Sequence, residues 1–328
     1  IFQMLIDSFS RIAEKLRLSV TDRCNYRCIF CMPSNPSFIK EDEILKLDEI
    51  ERIISIFHDL GIKELKLTGG EPLLREDLDK IVKYASGLFN EISLTTNGYL
   101  LLEKAASLRN NGLDRVNVSI HSLKQEKYRR ITGVNGLEKV LKGLEEAKQH
   151  GFEAIKINVT LIKGLNDDEI FNFIEFSRNT GFTVRFLEYE PFDGNGGWSP
   201  NKVVTAGDVI RTVSKKYSLM PLERSKHSTS MYFMIKENGV KFGIIPSISQ
   251  PFCTDCNRIR VTSEGIFLPC MYSLKGVNIR DMIREGKSDE EIKDAIKASY
   301  SNKFEGIIKY VREHKIPEKV TSMYKLGG

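Results

Sequence analysis

Cysteine is scarce, with six in 328 residues. That is too few for the disulfide framework of a small secreted domain, so the thiols are expected to stay reduced, in a cytoplasmic setting. No apolar run approaches the roughly 18 residues of a membrane span. Residues 1–15 hold no basic stretch leading into an apolar one, so no export signal is expected there. Low-complexity tracts and fixed-period repeats are missing, and so is any basic stripe or helix-turn-helix pattern that would mark a nucleic-acid binder. An excess of one charge is also lacking: 49 Lys and Arg against 44 Asp and Glu leave +5, which suits an anionic small molecule as well as nucleic acid. What is present is 41% hydrophobic residues, enough for a sizeable core, which excludes a wholly disordered chain.

The first 190 residues alternate strand-like and helix-like stretches. Short runs rich in Ile, Leu and Val at 15–20, 64–68, 91–95, 115–120, 156–162 and 183–189 read as strands, most of them followed by Gly, Asn or Pro. Between them lie helical patterns at 47–60, 77–88, 100–110, 137–150 and 167–180. The first places Leu47, Ile50, Ile53, Ile54, Phe57 and Leu60 on one face and stops before Gly61. Six such units predict a parallel sheet, either doubly wound or a partial (β/α) barrel. The pattern breaks at PFDGNGGWSPN, residues 191–201. Beyond it the sequence predicts a helix over about 206–217, short strands between 230 and 268, and a helix opened by Ser288 with Glu291 three residues on. Residues 191–328 therefore read as an α+β extension packed on a domain of residues 1–190.

The few cysteines are concentrated. Cys24, Cys28 and Cys31 form C-x3-C-x2-C directly after the first strand, and none lies between 32 and 252. Thiols at this spacing would point in several directions on a regular element, whereas a loop can wrap them round one centre. Soft sulfur ligands select zinc or an iron–sulfur cluster. Three of them leave a tetrahedral zinc, or one iron of a cubane, with a position open for something else to bind.

C-x3-C-x2-C with Phe30 just before the third cysteine resembles the signature of radical S-adenosylmethionine (SAM) enzymes. The wording LRLSVTDRCNYRCIFCMP (16–33), LTGGEP (67–72), TTNG (95–98) and the closing Gly-Gly is similar, over essentially the whole chain, to the GTP 3′,8-cyclase family of molybdenum cofactor biosynthesis. The resemblance implies a partial (β/α)6 TIM-like barrel of the radical SAM type with a C-terminal α+β extension closing its mouth. It implies two [4Fe–4S] clusters, SAM as co-substrate, and GTP as substrate. The product would be (8S)-3′,8-cyclo-7,8-dihydroguanosine 5′-triphosphate, formed through a 5′-deoxyadenosyl radical. It further implies an electron donor, a downstream cyclic pyranopterin monophosphate synthase, no membrane or nucleic-acid partner, and a monomer or homodimer.

In a barrel, chemistry sits where strands end. Gly70 follows strand two, and paired glycines let a ligand approach the backbone closely. By resemblance, Phe30, Gly70, Ser119 and Glu190 contact SAM. Arg17, Lys66 and Lys156 occupy alternating strand positions that would face inward, and a triphosphate would satisfy such a cluster. The resemblance places substrate contacts at Arg17, Thr95 and Lys156, and we add Lys66. The chain departs from the family at four positions: Lys66 stands for an arginine, Glu64 for a lysine, His121 for an aspartate, and Glu190 for a methionine packed on SAM. A glutamate there would meet the adenosine by hydrogen bonding. No general base is assigned.

Cys253, Cys256 and Cys270 form C-x2-C-x13-C. A zinc ribbon would need a fourth ligand, and only His227 and His314 lie in the same half of the chain. A second open cubane fits the count, and the resemblance gives it the task of holding guanine. Arg258 and Arg260, two apart on a strand, would share one face beside it as substrate contacts. Two other readings stand beside the cyclase: a radical SAM enzyme with an auxiliary cluster acting on a peptide or another small molecule, and a non-catalytic metal-containing nucleic-acid-binding regulator.

Overall fold

The structure, a computed structural model, describes residues 4–152, 154–193, 195–273, 275–313 and 322–327. Strands β1 (Lys15–Ser19), β2 (Glu64–Thr68), β3 (Glu91–Thr96), β4 (Arg115–Ser119), β5 (Lys156–Leu161) and β6 (Thr183–Glu188) lie side by side, parallel, in chain order. Alternation explains their two faces. Leu16, Leu18, Leu65, Leu67, Ile92, Leu94, Val116, Val118, Ile157, Val159, Val184 and Phe186 are all buried in the core. The residues between them are polar or charged and point to the other side. A parallel strand covered by helices on both faces would read as a continuous apolar run. Here one face carries helices and the other lines a cavity.

The covering helices are α1 (Leu47–Asp59), α2 (Leu78–Ala85), α3 (Leu101–Asn110), α4 (Gln125–Thr132), α5 (Leu137–Gln149) and α6 (Ile170–Thr180). Gly61 and Gly181, at φ +80° and +79°, turn the chain out of α1 and α6 in the left-handed conformation that a side chain resists. The sequence reading has no α4. Half of its residues, QEKYRRIT, are charged, and only Tyr128, Ile131 and Thr132 are buried.

Beyond β6 come α7 (Ala206–Ser214), β7 (Leu219–Pro221), β8 (Met231–Ile235), β9 (Lys241–Ile245), β10 (Arg258–Val261), β11 (Ile266–Leu268) and β12 (Val277–Asn278). The helices α8 (Ile279–Arg284), α9 (Asp289–Ser301), α10 (Ile307–Arg312) and α11 (Met323–Leu326) follow. Ser288 and Glu291 cap α9 reciprocally, as the sequence predicts. These later strands join the same sheet at both ends. Its order is β12-β11-β10-β1-β2-β3-β4-β5-β6-β9-β8-β7. β10 runs parallel to β1 and β9 parallel to β6, and the outer strands are antiparallel. Among the described residues the sheet is thus open, with the expected six-strand partial barrel at its centre. A second, smaller core of Phe192, Leu268, Tyr272, Ile307 and Leu326 packs around Cys253 and Cys270.

Candidate active site

The polar face of the sheet lines a cavity of roughly 740 Å³. Sheet register puts Arg17 between Arg260 and Lys66, pairs Asn117 with Lys156, and sets Asn158 opposite Arg185. All six cysteines and every residue assigned in the sequence to SAM or substrate line this one cavity.

The Cys24–Cys31 loop leaves β1 and is held from two sides. The amides of Arg27 and Ile29 donate to the carbonyls of Thr132 and Ile131 at the end of α4, at 2.9 and 3.0 Å. The hydroxyls of Tyr26 and Tyr128 meet at 2.8 Å. On the other side the loop after β2 presses on the loop's start. Amides of Gly70 and Glu71 donate to the carbonyls of Thr21 and Arg23, both at 2.7 Å. A Cβ on Gly69 would lie 2.6 Å from the Thr21 carbonyl oxygen, and one on Gly70 would strike the carbonyls of Asp22 and Arg23. The close approach that the glycine pair permits is therefore made by the cysteine loop. Glu71, fully buried, accepts from the Leu73 amide (2.9 Å), the Thr96 hydroxyl (2.7 Å) and the Asn97 amide (2.7 Å). Burial raises its carboxyl to about 7 against the pull of those donors. Asn97 passes the linkage on, donating to Asn25 at 2.8 Å and to Cys24 Sγ at 3.9 Å. At the end of β4 the His121 ring meets Phe30 edge-on, with centroids 4.6 Å apart. Its Nδ1 accepts from the Thr160 amide at 3.1 Å, so its proton sits on Nε2.

The second triplet is anchored from the N-terminal segment. Arg11, paired with Asp7 at 2.6 Å, donates to the carbonyls of Cys253 and Glu305 at 3.0 Å and of Phe304 at 2.9 Å. Cys256 Sγ receives Arg258 at 3.4 Å and Lys303 at 3.8 Å. Of the histidines weighed for a zinc ribbon, His227 turns to oxygens, with Nδ1 2.6 Å from the Asp255 carbonyl and Nε2 3.7 Å from Glu14. His314 lies outside the described residues. The tail enters as well. Arg260 donates to the Gly327 carbonyl, and a Cβ on Gly327 would strike Thr68 and Ser19 at the ends of β2 and β1. Gly328 lies outside the described residues.

Positive charge dominates the wall. Burial, then the charges of Arg260 and Arg258, depress Arg17 well below its usual value, with Glu190 opposing. Burial and neighbouring cations also put Lys66 well below its usual value, and they lower Lys156 and Arg185 against the opposing pull of Tyr232. The carboxylates Glu64 and Glu91 are taken by Lys15 and Arg115. Glu190 has Arg260, Arg17 and Arg258 as its charged neighbours and is pushed up by burial. Arg115, Arg185, Tyr232 and Lys303 were not singled out in the sequence. The arginines carry a signal that could have found them, since they share the alternating phase of Arg17. Tyr232 and Lys303 carry none, being brought in by long-range packing.

The chemistry of the donors fits the implied groups. All six thiols are unbridged and part-buried. Among the described residues no three Cys, His, Asp or Glu side chains close to the spacing of a single ion. Burial raises Cys24 and Cys31 to about 12, and raises Cys28 too, and a bound metal's positive charge would favour their thiolates. Burial also raises Cys256, but Arg258 and Lys303 outweigh it and bring the thiol down to about 6. Among the described residues, seven buried side-chain polar atoms have no hydrogen-bond partner, and five belong to this cavity's wall: Arg17 Nε, Arg115 Nε, Ser230 Oγ, Ser247 Oγ and Tyr272 Oη. Polar atoms removed from water and left unpaired fit a wall that receives a polar, anionic ligand.

A parallel sheet whose first strand runs into a three-cysteine loop defines a radical SAM protein, and the model of the Radical SAM superfamily matches residues 18–177. The model for Molybdenum Cofactor Synthesis C matches residues 182–308. The GTP 3′,8-cyclase of Aquifex aeolicus is 39% identical over 99% of this chain and 100% of its own length. That of Thermodesulfovibrio yellowstonii is 37% identical over 98% and 99%. The chain belongs to the GTP 3′,8-cyclase family. Among solved structures, Streptococcus suis SuiB bound to its precursor peptide SuiA shares the fold, with a TM-score of 0.65 at 16% identity over 90% of this chain and 68% of that one.

Proposed function

We propose that this protein is a radical SAM GTP 3′,8-cyclase, converting GTP to (8S)-3′,8-cyclo-7,8-dihydroguanosine 5′-triphosphate in the first step of molybdenum cofactor biosynthesis. The observation that carries the reading is one cavity lined by both cysteine triplets and by a row of buried cations. Cys24, Cys28 and Cys31 hold one [4Fe–4S] cluster, and Cys253, Cys256 and Cys270 hold the other. When bound, the clusters and SAM supply the electron and the hydrogen-abstracting chemistry. The chain's own work is placement. Phe30, Gly70 and Ser119 line the cavity together with the first triplet and hold SAM, with His121 donating from Nε2. Arg17, Lys66, Lys156, Arg258 and Arg260, with Thr95, bind the nucleotide. Their charges, crowded and desolvated in the free protein, are relieved by phosphate oxygens. Glu190 is the counter-charge of the three arginines and makes any contact with SAM from that position. Arg185 joins the phosphate set, held by Asn158 at 3.0 and 2.6 Å and by Asn117 at 2.9 Å.

In this reading residues 1–190 supply the SAM half and 191–328 the auxiliary-cluster half that closes the cavity. The enzyme takes electrons from a donor and passes its product to a downstream cyclic pyranopterin monophosphate synthase. It works in the cytoplasm as a monomer or homodimer. Among the described residues no helix is long and apolar enough to cross a membrane. Anaerobic incubation with SAM, a reductant and GTP, followed by mass spectrometry of the nucleotide, is the test. Cyclised nucleotide with stoichiometric SAM cleavage is expected, and SAM cleavage that leaves GTP unchanged at every condition would sink the reading.

A further inference from the structure

On the far side of β6 the crowded cations meet hydroxyl side chains rather than carboxylates, and these come from the extension. Register sets Arg185 of β6 opposite Gly243 of β9, and Gly243 opposite Tyr232 of β8. A Cβ on Gly243 would lie 3.0 Å from Tyr232 Cε1 and 3.1 Å from Arg185 Cγ. The missing side chain is the space in which the tyrosine ring and the arginine stem meet. Lys156 Nζ stands 6.0 Å from the centre of the same ring. Burial raises the Tyr232 phenol, but Lys156 and Arg185 beside it outweigh that and bring it below its usual value, and both cations share side-chain hydrogen bonds with it, so its oxygen faces both. Two residues earlier, Ser230 is 2% exposed, and its hydroxyl sits beside the Tyr232 phenol without a hydrogen bond of ordinary geometry.

We propose that Tyr232 and Ser230 form a neutral phosphate-reading edge, donating hydroxyl hydrogen bonds to the terminal phosphates of a nucleoside triphosphate that Lys156 and Arg185 attract. The proposal rests on the GTP reading above and deepens it, assigning triphosphate specificity to β8. The residue type follows from the charges around it. Another cation here would add to the repulsion among Arg115, Lys156 and Arg185, and a carboxylate would neutralise them and repel phosphate. A hydroxyl donates without doing either.

The test is calorimetric binding of GTP and of guanosine to the anaerobic, cluster-loaded protein, wild type beside Tyr232→Phe and Ser230→Ala, with SAM binding as the control for folding. Tyr232→Phe keeps the ring over Gly243 and removes only the hydroxyl. It should weaken GTP roughly tenfold or more, as expected for a hydrogen bond to a charged group, while guanosine and SAM affinities stay at wild-type values. Ser230→Ala should weaken GTP in the same selective way. Unchanged GTP affinity in both variants overturns the proposal. So does an equal loss for GTP and guanosine, which would mark a packing role. If instead the wild-type protein itself binds GTP no more tightly than guanosine, the failure belongs to the GTP reading.

Discussion

Arg17, Lys66, Lys156 and Arg185 are held at a cost, since all stand among other cations, Lys156 part-buried and the rest removed from water, and their carboxylate neighbours are mostly engaged elsewhere. A ligand with several negative oxygens removes that cost, so replacing one cation should weaken GTP more than an exposed charge would. Arg17→Ala or Lys156→Ala should each reduce GTP affinity by roughly 1.5–3 kcal/mol, measured by calorimetry, with SAM affinity retained. His121 behaves oppositely, because it is buried without charge. Burial lowers its imidazole from the usual 6.5 to about 3. The unfolded chain takes up a proton near pH 6.5 and the folded chain does not, so His121 destabilises the fold progressively as pH falls below 6.5. Relative to His121→Gln, wild type should lose roughly 1 kcal/mol of stability per pH unit between about pH 6 and 4. Parallel stability curves for the two proteins over that range would contradict it. At this scale the cysteines were legible because metal spacing is local. The alternating phase of Arg17, Lys66 and Lys156 was legible too, and the same phase would have found Arg115 and Arg185. Lys303 reaches Cys256 across 47 residues of chain, and no periodicity records such a contact.

Helix α4 shows why an element can be functionally placed and yet hard to read. Its exposed face is so charged that the apolar stripe shrinks to Tyr128 and Ile131, yet its last carbonyls hold the loop of the first triplet. The joint between α1 and α8 is the clearest electrostatic link across the two halves. Arg284 grips Glu49 through Nε at 2.6 Å and Nη2 at 3.1 Å, with the carboxylate 6% exposed. Burial raises the Glu49 carboxyl, but Arg284 and the Lys46 amide outweigh it, so its folded value lies below the ordinary 4.5. The stabilisation is therefore complete above about pH 4.5 and fades as pH falls through the depressed value. Glu49→Gln should cost about 1 kcal/mol at pH 7, and the difference from wild type should shrink below pH 4 in urea titrations. Helix α11 sets the tail by another route, through the Gly327 carbonyl on Arg260. Deleting Gly327 and Gly328 should spare SAM cleavage but uncouple it from cyclisation, measured as 5′-deoxyadenosine formed per cyclic nucleotide. A truncated protein with unchanged coupling would make the tail a mere terminus.

For the whole molecule, two open cubanes imply about eight iron per reconstituted chain. Cys28→Ser should retain about four and lose SAM cleavage, and Cys270→Ser should retain about four with SAM still cleaved and no cyclisation. Stoichiometric zinc in place of the second set of iron would overturn the two-cluster assignment. The six-strand centre was readable from its repeated units, and short strands between 230 and 268 were too, but their place at its two edges was not, because parallel pairing of β10 with β1 joins residues more than 240 positions apart. That pairing bears on how the chain is made. Residues 1–190 leave the ribosome first and can form six parallel strands, yet both bordering edges, β1 and β6, wait for partners synthesised later. Until β9 and β10 arrive, two rows of bare amides and carbonyls are free to recruit another chain. The nascent protein therefore passes through its most adhesive stage half-made, and premature termination near residue 190 should yield aggregates where the complete chain stays dispersed.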